Sequence, residues 1–127
     1  MGSDEYRGAL LGESLRLDAM IEIPLAVHRV SRAAAGDANA GQPREWTFIE
    51  FTVRAGEVGA LAGALSRALR REGGWYCNFN SDDEVVVVFY GRVFRYRSGD
   101  RAARAEVEQY ARSVGVPESQ LDWTDPQ

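Results

Sequence analysis

The sequence predicts an α+β fold, with one mixed, mostly antiparallel sheet and two helices on one of its faces. Three observations carry this. Apolar residues alternate over 20–31 and 46–54, a helical stripe runs over 57–72, and three short β-rich segments between 75 and 97 lead into a second helical stripe.

Residues 1–19 form an N-terminal arm, a polar start followed by Leu10, Leu11, Leu15 and Leu17, which fits a helical turn leading into extended chain. From Met20 to Ser31, Ile21, Ile23, Leu25 and Val27 share one side of a half-buried strand, and Pro24 places that strand at a sheet edge or a bulge. Residues 32–45 hold no large apolar side chain and are expected to be a flexible loop. In 46–54, Thr47, Ile49, Phe51 and Val53 alternate with Trp46, Phe48, Glu50 and Thr52. The first helix, 57–72, carries Val58, Leu61, Ala62, Leu65 and Leu69 on one stripe, turns Arg67, Arg70 and Arg71 to solvent, and stops at Gly73-Gly74. Gly59 and Gly63, four apart, point to close approach of another backbone or a ligand, with tight helix-on-sheet packing the favoured reading. Strands over 75–80, 84–89 and 92–97 form a meander, and Asp100 caps a second helix that ends at Gly115 and Pro117. Leu121 and Trp123 are expected to fold back onto the body. A strand–helix–strand crossover sets 46–54 parallel to 75–80. The order ββαβββα over a single domain, 1–127, is close to a ferredoxin-like plait.

Composition excludes more chemistry than it suggests. All 15 basic residues among the 127 are arginines, so there is no lysine for a Schiff base, a phosphate loop or a general base. A net charge of −4 weighs against nucleic acid as a partner. One cysteine, Cys77, forms no internal disulfide, no secretory leader or membrane span is evident, and a cytoplasmic location is expected. His28 and Cys77 are too few for a zinc site, and Asp82-Asp83-Glu84 reads as a solvated turn, so no metal or cofactor is expected.

A two-residue turn at Tyr90-Gly91 fixes the last hairpin, setting Phe89 opposite Arg92, Val88 opposite Val93, Val87 opposite Phe94, Val86 opposite Arg95 and Val85 opposite Tyr96. If both helices lie on one face, Val86, Val88 and Val93, with Trp46 and Phe48 on the 46–54 strand, belong to a helix-free face that something else must cover. A second copy of the chain is the favoured cover, ahead of the chain's own termini or a ligand.

The candidate chemistry is thin. A Cys77–His28 pair could act as an activated nucleophile, but Cys77 lies in the aromatic run Trp75–Phe79, where a buried, inert thiol is the usual outcome. Tyr76, Asn78, Trp46 and His28 would line a polar-aromatic pocket if they share a face. Arg92, Arg95, Arg97, Arg101 and Arg104 are a cluster suited to phosphate or carboxylate, although Tyr90–Tyr96 does not match the aromatic signature of RNA-binding sheets.

The stretches Gly91-Arg92-Val93-Phe94-Arg95-Tyr96, Gly99-Asp100, Tyr110-Ala111-Arg112-Ser113 and Gly115-Val116-Pro117 through Gln120-Leu121-Asp122-Trp123 resemble a family of small, uncharacterised actinobacterial proteins. The resemblance covers about half the chain and implies a bacterial, cytoplasmic protein, with no activity or site residue to carry over. The leading expectation is a non-enzymatic interaction protein that forms a homodimer. The alternatives are a cofactor-independent enzyme or carrier for a small apolar metabolite, and an anion or RNA binder using the arginine meander.

Overall fold

The computed structural model describes residues 4–36 and 38–123. Its strands are β1 (Glu5–Leu11), β2 (Ala26–Ala34), β3 (Glu45–Arg54), β4 (Cys77–Asn80), β5 (Glu84–Phe89) and β6 (Arg92–Arg97), with helices α1 (Val58–Ala68) and α2 (Arg101–Ser113). The strands make one six-stranded sheet in the order β2-β3-β1-β4-β5-β6, and every neighbouring pair is antiparallel.

The largest departure from the sequence expectation is β1. Residues 5–11 are a strand at the centre of the sheet, where an arm was expected, so the chain runs βββαβββα. The crossover through α1 does leave β3 and β4 pointing the same way, but β1 lies between them and pairs antiparallel with both. A mixed sheet therefore becomes wholly antiparallel. The strand is hard to see in sequence because Gly8 interrupts its apolar face, Tyr6-Gly8-Leu10, while Glu5 and Arg7 begin the other. Gly8 is required there: a Cβ at this position would lie 2.6 Å from both the Asn78 carbonyl oxygen and the Phe79 Cβ.

The helices pack on opposite faces, which overturns their expected placement on one. Leu61, Leu65 and Leu69 of the α1 segment share a core with Phe51, Val53, Cys77, Phe79, Val86 and Val88. Val107 and Ala111 of α2 share a second core with Val85, Val87, Phe89, Tyr96 and Trp123. The run Val85–Phe89 is apolar throughout because β5 is covered on both sides. The hairpin register is the expected one, residue for residue. Asp100 caps α2 by accepting from the Ala103 amide at 3.0 Å, and Trp123 folds back so that its Nε1 donates to the Tyr96 hydroxyl at 2.9 Å.

Several boundaries move: the strand expected over 75–80 starts at Cys77, β3 takes in Glu45, and three further shifts change the packing. Strand β2 starts at Ala26, and Ile21, Ile23 and Leu25 instead pack, unpaired as strand, against the α1 core. The expected loop 32–45 loses its first three residues to β2. Beyond it, Gln42 donates to the Gly73 carbonyl at 2.7 Å and exchanges hydrogen bonds with Gln120; Asp37 lies outside the described residues. Helix α1 ends at Ala68, not 72, because Leu69 turns extended and bridges Leu15. Gly59 and Gly63 are not close-approach sites: a Cβ at Gly59 meets nothing within 4 Å, and one at Gly63 meets only the Arg67 guanidinium at 3.5 Å.

Gly8→Ala is expected to destabilise the fold by about 1–3 kcal/mol through overpacking at the sheet centre, read as a lower urea midpoint. Gly59→Ala should be neutral or stabilising in the same assay.

Candidate functional site

The α1 face of the sheet is closed by α1 and by residues 15–25. Among the described residues the α2 face is covered by helix over β5 and β6 and by the C-terminal segment beside β4, leaving the β2-β3-β1 half without a helix. On that open half lie Arg7, Ala9 and Leu11 of β1, Phe48, Glu50 and Thr52 of β3, and the edge strand β2, which is exposed along nearly its whole length. A bulge between Val27 and Arg29 turns His28 onto this face, where its Nε2 lies 3.0 Å from the Thr52 hydroxyl. Arg29 and Glu50 form an exposed ion pair at 3.6 Å. On the opposite side of β2, Val27 and Val30 are 53% and 61% exposed.

Trp46, Phe48, Tyr76 and Asn78 meet in one groove of about 200 Å³, closed at one end by Gln120 and Asp122. The Tyr76 hydroxyl donates to the Gln120 carbonyl, and burial, together with the Asp122 carboxylate, pushes its pKa well above the ordinary phenol value. That phenol stays protonated and ties the C-terminal segment to the sheet. The groove is smaller than the roughly 300–1,000 Å³ of common ligand pockets. His28 is not part of it and lies in a separate depression with Glu5, Arg7 and Glu50. Three of the four expected pocket residues are therefore brought together and the fourth is not.

Cys77 and His28 lie on opposite faces of the sheet and form no pair. Cys77 is buried in the α1 core with its Sγ 3.5 Å from the Ala9 carbonyl oxygen, and burial pushes its thiol up to about 12. Buried and without an imidazole partner, its sulfur lacks the electropositive, accessible setting that activates a thiol. Val86 and Val88 are fully buried, and Val93 packs partly buried beside them against the α1 core, so the helix-free face expected from them does not exist. Trp46 is buried against Trp75, and Phe48 is half-buried beside it.

The expected arginine cluster is dispersed. Arg95 faces α1 and grips Glu84 with both prongs, Nε to Oε2 at 2.9 Å and Nη2 to Oε1 at 2.8 Å, while the Tyr6 hydroxyl donates to the same carboxylate at 2.5 Å. Arg92, on the other face, stacks over Phe94 at 4.5 Å. Arg104 bonds Glu108 and the Trp123 carbonyl. Arg97 sits opposite Glu84 at the far end of the hairpin. Arg67, Arg70 and Arg71, which the sequence places on a plain solvent-facing helix side, instead join Arg16 in lining a depression of about 680 Å³. Spacing along the chain shows no sign of this, because Arg16 reaches the other three only through the Leu15–Leu69 bridge.

No protein-family model, curated protein or solved structure matches the chain. Among the described residues, no helix is long and apolar enough to cross a membrane, and no three His, Cys, Asp or Glu side chains gather as metal ligands.

These placements have measurable consequences. Cys77 should stay unreactive toward an aromatic disulfide reagent at pH 8 in the native protein and react fully in denaturant. The Arg95 fork holds the Glu84 carboxyl below its usual value, with the Tyr6 hydrogen bond adding to the effect. A carboxyl lowered on folding stabilises above its unfolded pKa, near 4.5, and loses that contribution as pH falls through the folded value. Arg95→Gln should therefore cost about 1 kcal/mol at pH 7, since the pair is partly solvated, and the deficit should shrink below pH 4 in thermal melts.

Proposed function

We propose that the chain is a non-enzymatic interaction module that pairs with a second copy of itself by antiparallel addition along the free edge of β2. The observation that carries this is the combination of a nine-residue edge strand with two exposed valines, Val27 and Val30, in a sheet that is otherwise antiparallel throughout. An unpaired edge presents a row of backbone donors and acceptors, and a two-fold axis perpendicular to the sheet satisfies them with an identical strand.

The side chains permit this pairing. No proline or lysine lies within Ala26–Ala34, and the bulge at His28 leaves Arg29–Ala34 as the regular stretch. Arg29 and Arg32 point to opposite faces of the sheet. In a register centred on Val30, Arg29 faces Ser31 and Arg32 faces His28; in one centred on Ser31, Arg29 faces Ala33 and Arg32 faces Val30. Neither sets two arginines directly opposite each other, the arrangement that cross-strand repulsion would penalise. Val30 meets either its own copy or the stem of Arg32, and is removed from water in both.

Light scattering on the purified chain at about 100 µM should give twice the monomer mass. Val30→Arg sets an arginine against an arginine in either register, and its exposed site leaves the fold untouched. It should raise the dimer dissociation constant at least tenfold, with an unchanged far-ultraviolet spectrum. A monomer at that concentration, or a dimer indifferent to Val30→Arg, overturns the proposal.

A further inference from the structure

The depression at the C-terminal end of α1 is lined by Arg16, Arg67, Arg70, Arg71, Ser66, Glu72, Tyr90 and Gly91. Four guanidinium groups against one carboxylate leave a local excess of three positive charges in a protein whose net charge is −4. We propose that this cleft binds a small ligand carrying two or more linked phosphoryl groups.

Four features describe it, and the last three set it apart from an ordinary solvated arginine face. Among the described residues none of the four cleft arginines is held in an ion pair, a condition they share with Arg92 and Arg97, whereas Arg29, Arg95, Arg104 and Arg112 each have a carboxylate partner within 4.0 Å. Two of them are fixed by their inner nitrogen alone: Arg16 Nε donates to the Arg67 carbonyl at 2.8 Å, and Arg70 Nε to the Glu13 carbonyl at 3.1 Å. Each tether restrains the side chain and leaves both terminal nitrogens for an anion, so part of the ordering entropy is already lost before a ligand arrives.

The third feature is the helix end itself. A helix C-terminus repels anions through its unpaired carbonyls. Here the last four are all occupied: Leu65 by the Leu69 amide, Ser66 by the Gly91 amide, Arg67 by Arg16 Nε and Ala68 by the Arg16 amide, at 2.8–2.9 Å. A ligand in the cleft meets guanidinium groups and not bare oxygens. The fourth is size and shape. The depression is open to solvent, and its roughly 680 Å³ leaves room for a diphosphate with a small organic group beside the exposed Tyr90 ring, over one face of which the Arg71 guanidinium lies at 5.8 Å from the centre. One phosphate would engage only part of the four guanidinium forks, which is why linked phosphoryl groups suit the cleft better.

The test is titration calorimetry of the full chain at 50 mM salt with pyrophosphate, ADP and inorganic phosphate, alongside a single-stranded RNA oligomer. Pyrophosphate and ADP should bind at least tenfold more tightly than inorganic phosphate, and raising salt to 200 mM should weaken both. The Arg67→Gln/Arg71→Gln variant removes two of the four charges without breaking either backbone tether, and should lower affinity tenfold or more with its melting temperature unchanged. Arg16→Gln and Arg70→Gln should do the same if they fold, and Arg92→Gln should have no effect. ADP tighter than pyrophosphate would place the organic group on Tyr90. The inference is overturned by no binding of either diphosphate at millimolar concentration, by equal affinity for inorganic phosphate, by undiminished binding in the double variant, or by binding of RNA alone.

Discussion

Backbone hydrogen bonds along one seven-residue strand hold the two halves of this sheet together. Strand β1 pairs with β3 over its whole length and with β4 over Arg7–Ala9, and among the described residues the β2-β3 hairpin has no other sheet partner that reaches β4, β5 or β6. Because Gly8 lies opposite Phe79, β4 can approach closely enough for the ladder to continue. The same strand also positions the segment after it. Its end passes into a short 3-10 turn whose Glu13 carboxylate accepts from the Thr47 amide at 2.6 Å and the Thr47 hydroxyl at 2.8 Å. Burial works against that charge, yet the Thr47 hydrogen bonds hold the carboxyl below its usual value. From there the chain crosses to α1, where the Ser14 carbonyl accepts from the Arg70 amide and the Arg16 amide donates to the Ala68 carbonyl. Sheet centre, helix end and arginine cleft are therefore one connected assembly.

Helices on opposite faces divide the surface unequally. α1 and residues 15–25 close one face. On the other, α2 covers β5 and β6, and the C-terminal segment, tied by Tyr76 and Trp123, reaches over β4 to the groove edge beside Trp46 and Phe48 and to Gln42. The uncovered β2-β3-β1 half is not strongly apolar: Arg7, His28, Arg29, Glu50 and Thr52 stand among Ala9, Leu11 and Phe48. A face of that composition tolerates water; Leu17 and Met20 of the 15–25 segment are the most exposed large apolar side chains, but Val27 and Val30 are the ones that stand on an edge strand, beside backbone groups that have no strand partner among the described residues. This is why strand addition, and not face-to-face packing, is the form of self-association the geometry favours.

The C-terminal half was legible because its signals are local. Asp100, the Tyr90-Gly91 turn and the unbroken Val85–Phe89 run each state their role within a few residues, and the structure places them so. The N-terminal half was misread because its determinants are not local. Tyr6 packs into the α1-side core and hydrogen-bonds Glu84, 78 residues away, and Gly8 lies against Phe79; neither contact shows in the alternation around it. Missing β1 forced the next error, since a sheet of five strands with two helices on one face left Val86, Val88 and Val93 looking uncovered. Ile21, Ile23 and Leu25 alternate as a strand would, but they cover the core without pairing: period-two patterning reports which side is buried and not what the backbone bonds to.

Arginine as the sole basic residue has consequences that a lysine-containing chain would not share. In Arg95 the fork is committed to one carboxylate, with Nε and Nη2 on separate oxygens of Glu84. In Arg92 the plane is committed to aromatic rings, Phe94 and Tyr110. In Arg16 and Arg70 a third use appears, in which Nε caps a backbone carbonyl while the terminal nitrogens remain uncommitted. Lysine carries its donors on a single nitrogen and cannot anchor to the backbone at one point while presenting charge at another. Density along the sequence pointed to residues 92–104, but those arginines are divided between two faces and several partners. What distinguishes the cleft is that two of its four guanidinium groups, those of Arg16 and Arg70, are anchored to backbone carbonyls and that the four are opposed by the single carboxylate of Glu72, and charge held in that way suits the proposed ligand.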